Sequence, residues 1–153
     1  MPSMDGLTAS TATQVMHQAI PATGRLGIVV ERIGDGEVGM RVPIEGNANH
    51  LGTMYAGVLF SIAELPGGLI PLVFLEPGRY TPIVTDMHVR FLAPARTDVT
   101  LDARIDPAEL SALAALADLE GRAEFTLELE GQDASGRTVI STRADYQLRP
   151  SRR

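Results

Sequence analysis

Residues 47–68 read NANHLGTMYAGVLFSIAELPGG, and the reading of this stretch decides what the rest of the chain can be. From Thr53 to Leu65 there is no strand alternation, and Glu64 is the one ionisable side chain. At about 100° per residue, Met54, Tyr55, Val58, Leu59, Ile62 and Leu65 gather on one face. Ala56, Gly57, Ser61, Ala63 and Gly68 keep the other side small, with Phe60 the bulky exception. Such a helix is expected to be buried on both sides. Thr53 stands where an N-cap belongs. Pro66, Gly67 and Gly68 remove a backbone donor and loosen the chain, which predicts an end or a kink there.

The flanking segments alternate with period two. Upstream, from Arg25, Leu26, Ile28 and Val30 alternate with Gly27, Val29 and Glu31; Gly34-Asp35-Gly36 marks a turn, and Val38, Met40, Val42 and Ile44 continue the pattern as a hairpin. Downstream, Ile83, Thr85, Met87, Val89 and Phe91 share a predicted face, then Val99, Leu101, Ala103 and Ile105, then Ala123, Phe125, Leu127 and Leu129, then Ile140, Thr142, Ala144, Tyr146 and Leu148. Between the second and third of these, Leu110, Leu113, Leu116 and Leu119 recur at helical spacing over 107–119 and Gly121 closes the run, predicting a short inserted amphipathic helix. An α+β fold follows: a curved antiparallel sheet of about six strands wrapped around one long central helix. Residues 1–24 read as a loosely held arm or a short helix, 25–149 as one domain and 150–153 as a tail.

Composition narrows the chemistry. The 153 residues suit one core and are too few for two ordinary domains. There is no cysteine, and all 13 basic residues are arginine. Thiolate nucleophiles, disulfides, Walker-type phosphate loops and Schiff-base chemistry are therefore excluded. A net charge of −6 without a basic run argues against nucleic acid as a partner. The N-terminus lacks a basic region ahead of an apolar stretch, and the longest apolar run, 69–75, is interrupted by Pro71 and too short to span a bilayer. A soluble cytoplasmic protein without membrane contact is the expectation. His17, His50 and His88 show no ligand spacing, so no metal is expected; Ser61 lies in no nucleophile-elbow motif.

Glu64 carries the sharpest signal. A lone carboxylate on a helix otherwise apolar or small must be paired with an arginine, protonated or used in chemistry, and the functional reading is preferred. The helix start offers the second signal: Gly52, Thr53, Tyr55, Ala56 and Gly57 place unpaired N–H groups beside small residues, an arrangement that stabilises a developing oxyanion or is simply a capped helix end. Tyr55 and Glu64 are nine residues apart, roughly 13 Å along the axis, so one subunit cannot bring both to one carbonyl. Two copies related by a two-fold axis with antiparallel helices can.

The stretch from Asn47 to Glu64 resembles the central segment of the hotdog-fold acyl-CoA thioesterases, in the branch of the phenylacetate-pathway and 4-hydroxybenzoyl-CoA enzymes. The likeness in element order covers 25–149 and its motif 47–68. It implies a hotdog fold and hydrolysis of an acyl-CoA, with Glu64 as general base or nucleophile, the N–H of Ala56 or Gly57 holding the thioester oxygen, and Asn49 assisting. His50, Gly52, Thr53, Tyr55 and Ser61 then become candidates for substrate contact, and Arg79, Arg90 and Arg96 for the coenzyme A phosphates. Coenzyme A enters as part of the substrate, with no separate cofactor. Family members often begin the helix with His-Gly-Gly; here Tyr55-Ala56-Gly57 stands there, so the role of that histidine falls to Tyr55 or His50. The insertion at 107–119 is longer than usual. A homodimer is expected in preference to a tetramer, since the outer strand faces are charged. The other readings are a hotdog hydratase or dehydratase, which needs a histidine beside the carboxylate, a non-catalytic acyl-ligand binder, and a structural dimer module.

Overall fold

The computed structural model describes residues 6–152; the first five residues of the arm and the last of the tail lie outside them. Helices α1 (Ala9–Ala19) and α2 (Pro21–Arg25) precede β1 (Val29–Gly34) and β2 (Glu37–Val42). Then come α3 (Ala56–Glu64), α4 (Pro66–Phe74), β3 (Tyr80–Phe91), β4 (Val99–Arg104), α5 (Pro107–Glu120), β5 (Ala123–Gln132) and β6 (Thr138–Pro150). All pairings are antiparallel, in the order β1-β2-β4-β5-β6-β3. Bulges in the β1–β2, β3–β6 and β5–β6 pairs supply the twist and bend that curl the sheet.

The alternation read from the sequence holds on β4, β5 and β6, whose predicted apolar residues are all buried. On β3 it does not. The bulge at Thr85 resets the pleat: Val84 pairs with Tyr146, but Met87 pairs with Ala144. Residues before and after the bulge thus belong to opposite phases, and Ile83 does not share the face of Met87 and Val89. The strand signal at Arg25 is also corrected. Pro21 opens a five-residue helix that runs through Arg25, and β1 begins at Val29.

The central helix is longer than expected. Leu65 keeps α-helical angles between α3 and α4, its N–H reaches the Ser61 carbonyl, and Leu69 bonds back to Leu65. Pro66 cannot give an N–H to the Ile62 carbonyl, and the helix carries through this one missing bond because Leu65 bonds back to Ser61 and both Gly68 and Leu69 bond back to Leu65. The continuous stretch Ala56–Phe74 is long and apolar enough to cross a membrane by composition alone, and more than half of it is buried inside the fold. It serves as the core helix, with Val58, Leu59, Ile62, Ala63, Leu65, Leu69 and Ile70 buried against the sheet. Burial is one-sided: Tyr55 is 60% and Phe60 41% exposed, and Gly57, Ser61, Glu64 and Gly68 are half-buried.

Helix α5 packs through Leu110, Ala114 and Ala117, while Leu116 and Leu119 are 44% and 79% exposed. Four leucines spaced by three drift about 60° per step around a helix of 3.6 residues per turn, so the last points away from the first. Within the N-terminal arm, α1 buries Ala12 and Met16 and covers the β1 edge. The Thr13 hydroxyl accepts the Val30 N–H at 2.9 Å, and His17 meets the Ile28 carbonyl at 2.7 Å.

Tyr146 ties sheet to helix. Its ring stacks on Phe125 with centroids 5.2 Å apart, and its hydroxyl donates to the Glu64 carbonyl at 2.8 Å. A methyl group on Gly67 would overlap that ring. Gly67→Ala should lower unfolding free energy by about 2 kcal/mol or more, measured by urea denaturation, because the ring is held on both faces and cannot yield. A neutral result would mean that the helix can slide on the sheet.

Candidate active site

The loop 43–55 builds the start of α3. Asn47, 7% exposed, donates from Nδ2 to the carbonyls of Leu26 and Pro43, both at 2.8 Å, and its own carbonyl accepts the Tyr55 N–H at 2.9 Å. Asn49 folds the tip. Its Oδ1 accepts from the N–H groups of Leu51 and Thr53 at 2.9 and 3.2 Å, and its N–H donates to the Thr53 carbonyl at 2.7 Å. Thr53, expected as the N-cap, instead gives its hydroxyl to this Asn49 cluster. Tyr55 is the N-cap, and it makes no side-chain cap bond. Its ring packs over Gly57, where a Cβ would come within 2.6 Å of Cε1.

The result is a helix start with free donors. Val58 and Leu59 bond back to the Tyr55 carbonyl, but the N–H groups of Ala56 and Gly57 have no partner among the described residues. No acidic residue occupies the first turn to neutralise them. They sit beside a cleft of about 300 Å³ lined by Asn49, Met54, Ala56, Leu59, Phe91 and Leu92. The Met54 N–H donates to the Ala95 carbonyl at 2.8 Å, fixing the wall of that cleft to the helix start.

Glu64 lies outside the cleft, nine residues along the same helix and roughly 13 Å from Tyr55. Its carboxylate has no hydrogen bond or ion pair among the described residues, so no arginine among them neutralises it. Burial alone pushes its pKa above the ordinary carboxylate value. The half-buried Gly57, Ser61 and Gly68 flank it on the open side of the helix.

The remaining candidates divide. Ser61 donates to the Gly57 carbonyl at 2.8 Å, so its hydroxyl serves the helix. His50 and Gly52 are exposed on the loop, far from forming a histidine–carboxylate pair with Glu64 within one chain. Arg90 lines a groove on the outer sheet face with His88, Glu128 and Arg143, and Arg96 is exposed just after Ala95. Neither has an ion pair among the described residues. Arg79 is engaged by Asp118 at 2.9 Å and Glu76 at 3.6 Å. The sequence reading missed Asn47 as the anchor of the loop; a polar residue between Pro43 and the helix, in a stretch of turn formers, was its only signal. It also missed the segment 91–95, which reads locally as a strand end.

The described residues contain no cluster of three or more His, Asp or Glu placed to hold a metal ion. The family described as a domain of unknown function (DUF4442) matches residues 8–148. A Pseudomonas aeruginosa protein of known structure, described as of unknown function and a probable thioesterase, is 40% identical, with 94% of this chain and 97% of that one aligned at a TM-score of 0.85. A Halobacterium salinarum protein provisionally named an esterase is 29% identical over 110 residues, 67% of this chain and 73% of that protein. The E. coli protein from the phenylacetic acid degradation operon shares the fold, at 15% identity and a TM-score of 0.64 over 90% of this chain and 91% of that one.

The folded chain holds the Glu64 proton to higher pH than the unfolded chain does, so the stability it retains below the ordinary carboxylate pKa is lost as pH rises through the folded value. Glu64→Gln should therefore melt higher than wild type at pH 8, with the gap closing toward pH 4, in paired thermal scans. A variant less stable than wild type at both pH values would contradict an unpaired carboxylate.

Proposed function

We propose that this chain, which belongs to the DUF4442 family and has the hotdog fold of thioesterases and esterases, hydrolyses acyl-CoA thioesters as a cytoplasmic homodimer. The observation that carries the reading is Glu64: a carboxylate without a partner among the described residues, on a helix whose free N–H groups lie too far away to serve the same carbonyl. The thioesterase description of the 40% identical relative supports the reaction class.

Edge protection supports the dimer. One edge strand, β1, is covered by α1, whose Thr13 occupies both the N–H and the carbonyl of Val30. The other, β3, is twelve residues long, pairs only with β6, and exposes Ile83, Val84 and Phe91 beside the open side of the central helix. Pro82, the bulge at Thr85 and the charges at Asp86 and Arg90 blunt part of this edge, and the exposed Ile83, Val84 and Phe91 are the apolar surface a second copy would cover. Pairing two copies about a two-fold axis there sets their helices antiparallel and brings Glu64 of one toward Ala56 and Gly57 of the other.

In the proposed reaction the carbonyl oxygen takes hydrogen bonds from the Ala56 or Gly57 N–H, and Asn49 keeps the loop that presents them in shape. Glu64 removes a proton from water as the water oxygen bonds to the carbonyl carbon; the C–S bond then breaks, the departing thiolate takes that proton back from Glu64, and the free acid remains. If Glu64 adds to the carbon itself, C–S cleavage leaves a mixed anhydride, the thiolate takes a proton from water, and a second water cleaves the anhydride to release the acid and restore the carboxylate. Arg90 and Arg96, without ion pairs among the described residues, are the proposed phosphate contacts. Glu64 must be ionised to act, so the rate should fall as pH drops through its raised pKa.

The test is release of coenzyme A from a panel of acyl-CoAs, followed with a thiol reagent against which the cysteine-free protein gives no background. Glu64→Gln should lose at least about a hundredfold in kcat while remaining a dimer by light scattering. Undiminished turnover removes Glu64 from the mechanism. A monomeric active enzyme removes the shared site.

A further inference from the structure

A second cleft lies at the opposite end of the central helix. It encloses about 860 Å³ between the end of α4 and the inserted helix α5, with the β1–β2 turn closing one side. Its walls are apolar: Phe74, Leu75 and Pro77 from the α4–β3 connection face Leu110, Ala114 and Ala115 of α5. The space falls within the range of small-molecule pockets and is larger than the cleft at the start of α3.

Its rim is charged. Arg79 reaches Asp118 at 2.9 Å, Tyr80 donates to the same carboxylate at 2.9 Å, and Glu76 takes the other side of the guanidinium at 3.6 Å. These contacts pin α5 over the cleft. With the one arginine engaged, Asp35, Glu76 and Asp118 leave the rim net acidic. A free carboxylate or phosphate would be repelled there, so the group that enters is uncharged.

Position supplies the third constraint. Leu75 follows Glu64 by eleven residues, which returns to within about 20° of the same side of the helix and advances roughly 16 Å. Between them Gly68 and Leu72 are half-buried on the helix surface. A zigzag hydrocarbon of about 1.5 Å bonds gains roughly 1.3 Å per carbon, so a chain of about a dozen carbons spans the distance.

We propose that this cleft receives the methyl end of a long acyl chain whose thioester sits at Glu64, making α5 the wall that admits long-chain acyl-CoAs. The proposal rests on the hydrolase reading for the position of the carbonyl. Short chains end before the cleft and gain nothing from it.

Ala115 is exposed on α5, so Ala115→Trp fills the cleft without disturbing the core. Its kcat/KM on palmitoyl-CoA should fall roughly tenfold or more, while that on butyryl-CoA stays within about twofold. An equal loss on both, or none on either, overturns the proposal. A readout independent of turnover uses the absence of tryptophan from the chain. Phe74→Trp in a Glu64→Gln background should shift its emission to the blue with palmitoyl-CoA and not with butyryl-CoA or coenzyme A. A chain-dependent shift in that background, with wild type hydrolysing no thioester, would sink the hydrolase reading and keep the cleft. Hydrolysis with neither the shift nor a chain-length effect of Ala115→Trp would do the reverse.

Discussion

A single six-stranded sheet cannot close around a nineteen-residue apolar helix, and most features of this protein follow from that mismatch. The sheet curls around Ala56–Phe74 with the help of three bulged pairings and buries Ile62, Ala63 and Ile70 completely. The edges at β1 and β3 still stand apart. The chain spends its N-terminal helices on one of them: α1 covers β1, and its Thr13 satisfies the edge's outward-facing backbone groups. Nothing in the described residues does this for β3. The gap therefore falls on one side of the helix, and that is the side bearing Gly57, Ser61, Glu64 and Gly68.

Much of this is legible from the residues, because a buried sheet face imposes a period that survives in the sequence. β4, β5 and β6 each alternate without interruption, and their inward residues can be named before any coordinates are seen. Reading fails where one residue changes the phase. Thr85 bulges out of β3 and carries no mark that distinguishes it from a paired threonine, so every residue before it is placed on the wrong face. The Pro66-Gly67-Gly68 run is legible as a kink but not as a continuation, since local propensity does not reveal that Tyr146 and the sheet hold the second segment in line. On α5 the leucine spacing is real and its burial is not: the packing face is set by Ala114 and Ala117, whose size suits close approach to the sheet.

The start of α3 shows a different limit. Thr53 has the chemistry of an N-cap, yet the Asn49 side chain competes for its hydroxyl and N–H, and the helix begins two residues later at Tyr55 without a cap. Such competition is a matter of tertiary geometry. Asn47 holds Leu26 and Pro43 from one side, and Ala95 holds Met54 from the other, so the loop is fixed before the helix starts. A capping side chain at Tyr55 would have taken the N–H of Gly57, which has no partner among the described residues. Rigidity supplied by the loop is what lets the helix end stay unsatisfied.

Glu64 is held in place without being paired. The common means of positioning a carboxylate, an arginine or a set of hydrogen bonds, would also hold down its pKa. Here the restraint acts on the backbone instead. Tyr146, stacked on Phe125 and wedged against Gly67, binds the carbonyl of Glu64 and makes no hydrogen bond to its carboxylate. The cost is a half-buried charge that disfavours the folded state near neutral pH. That cost falls on a helix whose other buried positions are apolar, so the rest of the core can offset it. No basic residue occurs between Ala56 and Phe74, so the helix itself offers Glu64 no partner one turn away, and on the open side of the helix burial alone sets the direction of its pKa.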